Sequence, residues 1–198
     1  MRAWCELPEA MQAMTFDALL PRLKAGGWGD ALKFCQAYAQ GEAPEKWVRL
    51  WGPPGTGKTH LGVAIVNYRL AHGQFAKYVY VADWLSALRA TFERQRPQDN
   101  DAPLFATYEQ VWQSYANAPL LLLDDLGAQH RTPWSDAELD RLLDHRYRLA
   151  LETVVTTNAA TVGILGGRVS DRLQDKGLIK GLHLPGPSYR PENRRVRP

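Results

Sequence analysis

The sequence predicts an α/β fold, a parallel sheet with crossover helices assembled around a phosphate-binding loop. Three observations predict it. The run GPPGTGKTH, residues 52–60, satisfies G-x-x-x-x-G-K-[ST] in full. A strand-like stretch at 47–51 precedes that loop, and a helix-periodic stretch with Leu61, Ala64, Ile65 and Tyr68 follows it. Beyond the loop, strand-like and helix-like segments alternate as far as residue 184, which is the pattern of crossover connections.

Taken in order, residues 7–40 have helical spacing, with Met11, Met14, Ala18 and Leu19 on one periodicity and Leu32, Phe34, Cys35 and Tyr38 on another. Breaks at Pro21 and at Gly26-Gly27-Trp28-Gly29 divide the stretch into two expected short helices joined by a flexible turn, and 41–44 reads as a linker. The helix after the loop is expected to end near His72-Gly73. Residues 77–82 (KYVYVA) alternate β-branched and aromatic side chains as a second strand, and Asp83 is placed as the cap of a helix running toward Arg94. Residues 95–103 (QRPQDNDAP) read as a surface loop, and 104–116 return to helical spacing. The apolar run 119–123 suits a strand buried on both faces, and it ends in Asp124-Asp125. Ser135 is placed as the cap of a long helix through Ala150, and 153–157 (TVVTT) as a strand ending at Asn158. A last helix over 162–176 and a final strand over 178–184 complete the pattern, followed by a tail too rich in proline and arginine to pack.

A chain of 198 residues with 45% hydrophobic content buries one good core and hardly two, so one main domain is expected. The formal charge of +3 permits an acidic partner without demanding one. Cys5 and Cys35 form no metal-ligand or C-x-x-C pattern, and the five histidines show no ligand spacing. The N-terminus lacks the apolar stretch of a signal peptide and no apolar run approaches eighteen residues, so a cytoplasmic protein without membrane association is expected.

The chemistry is that of a tripolyphosphate held with Mg²⁺ at a nucleotide site. In the loop Gly52, Pro53, Pro54, Gly55, Thr56, Gly57, Lys58, Thr59, His60, the glycines allow successive N–H groups to curl around a phosphate. Lys58 reaches the β- and γ-phosphates, and Thr59 opens a helix where its hydroxyl can take a place on Mg²⁺. His60 reads more as a packing residue beside the loop than as a catalyst. An apolar strand that delivers two carboxylates at its C-terminal end supplies the second half of such a site. Asp124 would then help hold Mg²⁺, and Asp125 would orient or deprotonate the attacking water. The amide of Asn158 either positions a water or caps the next helix. Arg168 and Arg172, four apart, form either a solvated charged face with Asp171 and Asp175 or an arginine presented to phosphate. Arg89, Arg94 and Arg96 form either a solvated basic helix end or a contact for single-stranded DNA.

Together GPPGTGKTHL, LLLLDDLG, TTN, GGRVSDRL and GPSYR, in that order, resemble the AAA+ ATPases of the DnaC/IstB type, which are replicative-helicase loaders and transposition helpers. The resemblance covers about residues 14–190, and the histidine after GKT together with DDLG is more specific than a generic phosphate loop. It implies a P-loop AAA+ core with a five-stranded parallel sheet flanked by helices at 45–190, beside which the residues themselves read as a short helical N-terminal segment and linker at 1–44, smaller than the N-terminal region loaders usually carry, and a basic disordered tail at 191–198. It also implies self-assembly into a ring or spiral, with nucleotide at the subunit boundary and single-stranded DNA as a ligand. Position by position, Lys58 and Thr59 look like the Walker A pair and Asp124 and Asp125 like Walker B. Asn158 resembles sensor I, Arg172 the arginine finger with Arg168 one turn before it, and Arg190 the sensor II arginine. Asp125 stands where many AAA+ proteins have Glu, although the DD pair is usual in this branch. The implied partner is a replicative DNA helicase to be placed at an origin or fork, or a transposase to which target DNA is presented. Two further readings are a small P-loop kinase, which needs an acceptor pocket and an arginine-bearing lid, and an ATP-holding switch without turnover, against which the acidic pair weighs.

Overall fold

The computed structural model describes residues 5–23, 28–94, 107–158 and 167–188. Five strands, β1 (Trp47–Trp51), β2 (Ala76–Tyr80), β3 (Leu120–Asp124), β4 (Glu152–Thr157) and β5 (Ile179–His183), form one sheet in the order β2-β3-β4-β1-β5. Every neighbouring pair is parallel. Helices α1 (Phe16–Leu23) and α2 (Gly29–Gln40), after a 3₁₀ turn at Glu9–Met11, precede the sheet. Helix α3 (Lys58–Ala71) connects β1 to β2, while α4 (Val81–Arg94) and α5 (Tyr108–Ala116) lie between β2 and β3. Helix α6 (Pro133–Arg148) joins β3 to β4, and α7 (Gly167–Arg172) lies between β4 and β5.

Because strand side chains alternate faces, the sheet separates two cores. Val48, Leu50, Leu120, Leu122 and Val154 pack with α1, α2 and α3 on one side. Trp47, Leu121, Leu123 and Val155 pack with α4, α5 and α6 on the other. All five residues of β3 are buried, as a strand covered on both faces requires. β1 lies in the interior of the sheet beside β4, which places the loop after β1 next to the C-terminal ends of β3 and β4.

Several boundaries differ from the sequence reading. The second strand stops at Tyr80, and Val81 and Ala82 open α4, because Val81 is drawn into the helical side of the core. Asp83 therefore lies in the first turn, where its charge still suits the helix dipole, and does not cap. The cap of α6 is Thr132 and not Ser135. Thr132 Oγ1 accepts from the Ser135 N–H at 3.0 Å, Ser135 Oγ accepts from the Thr132 N–H at 2.8 Å, and proline follows the cap. Pro21 does not break α1, which runs on to Leu23. A proline inside a helix costs one hydrogen bond and strains the preceding turn, and burial of Phe16 and Leu19 holds the helix to the core in spite of it. The described part of the last helix ends at Arg172, four residues before the expected end, in a turn where Asp175 Oδ1 accepts from the Gly177 N–H. Residues 24–27, the surface loop at 95–103 and the tail from 189 onward lie outside the described residues. Trp84 and Trp112 are both core residues, and Cys5 and Cys35 are buried and unpaired. No described helix is long and apolar enough to cross a membrane.

Candidate functional site

The loop begins where β1 ends, and Lys58 is the first residue of α3. Its ammonium is folded into the curve of the loop, donating to the carbonyls of Gly52 at 2.9 Å and Pro53 at 2.7 Å. Thr56 Oγ1 donates to the same Pro53 carbonyl at 3.0 Å, which closes the bend. Gly57 caps the helix at φ +96°, and a Cβ there would come within 2.6 Å of Trp28 Cη2. Gly55 is constrained in the same two ways: φ is +81°, and a Cβ would lie 2.8 Å from Ser188 Cβ and 3.1 Å from Ser188 Cα. Both glycines are thus required by backbone angle and by close approach. The loop is consequently walled by Trp28, which precedes α2, and by Leu184 and Ser188. Trp28 also joins these two walls through its Nε1 bond to the Pro185 carbonyl at 3.3 Å.

Thr59, one residue into α3, donates its hydroxyl to Asp124 Oδ1 at 2.9 Å across the C-terminal end of the sheet. Asp124 is 4% exposed and is surrounded by hydroxyls. Thr156 of β4 donates to Oδ1 at 2.6 Å and Tyr78 of β2 donates to Oδ2 at 3.4 Å. Burial pushes the Asp124 carboxyl above the ordinary carboxylate range, opposed by the bonds from Thr156 and Thr59 and reinforced by the charge of Asp125. Burial and the same carboxylate push the Tyr78 phenol up, so it stays a donor. Asp124 has no basic partner among the described residues, and a buried carboxylate beside a hydroxyl at a helix N-terminus is a hard-oxygen pair suited to Mg²⁺. Among the described residues no group of three or more His, Cys, Asp or Glu could hold a metal alone, so such an ion would complete its shell with phosphate and water.

Asp125 follows at φ +59°. Its Oδ1 accepts from Asn158 Nδ2 at 2.9 Å, so the amide read as a water-positioner or helix cap is aimed at the second carboxylate. The fold thus brings together Gly52, Pro53, Pro54, Gly55, Thr56, Gly57, Lys58, Thr59, Asp124, Asp125 and Asn158 at one edge of the sheet. His60 is turned to the Thr15 carbonyl at 3.1 Å, joining α3 to the residue before α1. Arg172 is paired with Asp140 at 3.3 Å and with Asp144, both on α6. Arg89 lies over the Trp134 ring at 5.2 Å. Arg168 lies on α7 and Arg94 ends α4, with their side chains undescribed, and Arg96 and Arg190 lie outside the described residues. Sequence reasoning missed Tyr78, Thr156, Trp28, Asp140 and Asp144. Only Thr156 carried a signal, as a polar residue facing inward two positions before Asn158.

Comparison with known proteins is consistent with this geometry. The family model described as "IstB-like ATP binding protein" matches residues 42–179. The replicative helicase loader DnaC of Escherichia coli (strain K12) is 31% identical over 126 residues, which is 62% of this chain and 48% of that protein. The chain therefore spans about half the length of the curated relatives it matches. The crystal structure of DnaI superposes with a TM-score of 0.68 at 22% identity, covering 93% of this chain and 95% of that one. A structure of the replication initiator DnaA, bound to AMPPCP and single-stranded DNA, superposes with a TM-score of 0.65 at 19% identity, covering 81% of this chain and 47% of that one.

Proposed function

The chain belongs to the IstB-like ATP-binding family, and from that premise we propose that it is an ATPase that loads a replicative DNA helicase onto single-stranded DNA at an origin or fork. The observation that carries the proposal is the 2.9 Å bond between Thr59 and Asp124, which joins two motifs 65 residues apart into one hard-oxygen seat beside a phosphate loop. In this reading the loop N–H groups and Lys58 hold the triphosphate, Lys58 exchanging the Gly52 and Pro53 carbonyls for phosphate oxygens. Thr59 and Asp124 would hold Mg²⁺, which supplies charge neutralisation on the phosphates. Asp125 takes the proton of the attacking water, and Asn158 keeps its carboxylate aimed.

Arg172 serves the nucleotide of a neighbouring subunit, with Arg168 one turn before it and Arg190 completing the neighbourhood of the phosphates. Assembly into a ring or spiral follows from a finger supplied in trans, and Arg89, Arg94 and Arg96 contact the DNA backbone. Similarity to DnaC supports the loader over a kinase. The family model equally supports a second reading, a transposition helper that presents target DNA to a transposase.

The test separates binding from hydrolysis. Lys58→Ala is expected to lose ATP affinity, whereas Asp125→Asn is expected to bind ATP as wild type does and to lose hydrolysis by roughly 10²-fold or more. Hydrolysis by Asp125→Asn at the wild-type rate would sink the assignment. Recovery of a hexameric helicase or of a transposase with the tagged, ATP-loaded protein decides between the two partners.

A further inference from the structure

Thr156 does more in this structure than satisfy its own hydroxyl. It stands level with Asp124 on the neighbouring strand, one step beyond the Leu123–Val155 pair, and is 1% exposed. A threonine hydroxyl has one proton to give and lone pairs to receive with. The proton goes to Asp124 Oδ1 at 2.6 Å, and the oxygen accepts the backbone N–H of Asp125 at 2.8 Å. Its carbonyl accepts the N–H of Leu126 at 2.8 Å. One residue of β4 therefore fixes three successive residues, the last of β3 and the two that follow it: the carboxylate of the first and the backbone of the second and third.

Such fixing is needed here. Asp125 sits at φ +59°, where a side chain other than glycine costs on the order of 1 kcal/mol and persists only if its surroundings hold it. The backbone half of that hold is Thr156, and the side-chain half is Asn158, two residues later on the same strand end. The directions are coupled. Because the proton is committed to the Asp124 carboxylate, the lone pairs are left to face the Asp125 N–H.

We propose that Thr156 is a positioning residue for both carboxylates, setting Asp124 toward the Mg²⁺ seat and Asp125 toward the attacking water through one hydroxyl. The proposal rests on the ATPase reading given above. A buried threonine with a structural role alone would lose stability on change to valine yet leave kcat and the Mg²⁺ half-saturation of the folded protein unchanged, and this difference can be measured.

The full-length chain is compared as wild type, Thr156→Val, Thr156→Ser and Asp125→Asn, with Thr156→Ala replacing Val if the latter does not fold. ATP hydrolysis is measured alongside binding of a non-hydrolysable ATP analogue across a Mg²⁺ titration and in EDTA. Thr156→Val should keep analogue binding in EDTA, lower kcat by about 10–100-fold with little change in KM, and raise the half-saturating Mg²⁺ for analogue binding several-fold, the size of effect typical of residues behind a metal ligand. Thr156→Ser should remain near wild type in all three. A Val or Ala variant with kcat and Mg²⁺ half-saturation within about twofold of wild type overturns the inference, as does a Ser variant as impaired as Val. If Asp125→Asn differs from wild type while Thr156→Val does not, only this inference fails. If Asp125→Asn and wild type hydrolyse alike, the ATPase reading fails, and the Mg²⁺ titration still judges the Thr156–Asp124 half.

Discussion

Asp124 shows how a single residue can serve a site at the expense of the fold. It is buried, and its carboxyl is pushed above the ordinary range mainly by that burial, so the ionised form is less favourable folded than unfolded. A raised folded pKa means that the contribution to stability is present below the unfolded value and is lost as pH rises through the folded one. Asp124→Asn removes that loss. The amide fits the same shell, its oxygen accepting from Thr59 and Thr156 and its nitrogen donating to Tyr78. In metal-free, nucleotide-free buffer, Asp124→Asn should match wild type below about pH 3.8, gain in Tm relative to it as pH rises through the raised folded value, and keep a constant lead above that. Thermal melts across pH read this directly. A constant offset at every pH would locate the effect outside this carboxyl.

At the scale of elements, the sheet-to-helix seam beneath the site is closed by Arg146 in the last turn of α6. It has 0% exposure and binds the ends of three segments at once. Its Nη1 donates to the carbonyls of Tyr115, Ala116 and Ala118, at and just beyond the end of α5. Its Nε donates to Thr153 Oγ1 at 3.0 Å and its Nη2 to the Glu152 carbonyl at 2.6 Å, both on β4. Burial pushes the guanidinium down to about 9, which leaves it charged at neutral pH and its bonds to the ring of carbonyls charge-assisted. These carbonyls sit just before β3 and at the start of β4, the two strands that deliver Asp124, Asp125 and Asn158. Arg146→Met leaves several buried acceptors unmet and should cost about 3–5 kcal/mol in chemical denaturation. Arg146→Lys should recover only a small part, since one ammonium cannot replace a planar fork. A loss under ~1 kcal/mol for Met would show that water replaces the guanidinium.

For the whole molecule, the decisive question is whether the site is completed by a second copy. Within one chain Arg172 is 18% exposed at its side chain and is held by Asp140 and Asp144 of α6, so to act on a nucleotide it must be drawn away from two carboxylates. A finger in known systems contributes roughly 10³–10⁵ in rate, enough to repay that exchange. Arg172→Ala should bind ATP but lose hydrolysis, as should Asp125→Asn. Mixed in equal amounts, the two variants should regain part of the activity, because some boundaries then pair an intact Arg172 with an intact Asp125. Activity of the mixture no greater than that of its parts would place Arg172 outside any neighbouring site.

The phosphate loop, the alternation of strands and helices and the two carboxylates at the end of β3 were legible in the sequence because each rests on local rules: glycine spacing, period of hydrophobicity, and an apolar run ending in charge. The strands were located to within about two residues, and the errors fell at ends, where Val81 and Thr132 were assigned by core burial and by reciprocal capping. The sheet order β2-β3-β4-β1-β5 and everything that depends on adjacency were decided only in three dimensions. Thr59 reaches Asp124 across 65 residues, Thr156 reaches it across 32, and Trp28 lies against Gly57. No spacing rule can supply such pairs, because chain separation says nothing about which strands become neighbours. Arg172 makes the same point from the other side. Its sequence neighbours Asp171 and Asp175 offered themselves as partners, yet the helix packing gave it Asp140 and Asp144, since a side chain pairs with the charge that the fold brings alongside it and not with the charge nearest along the chain.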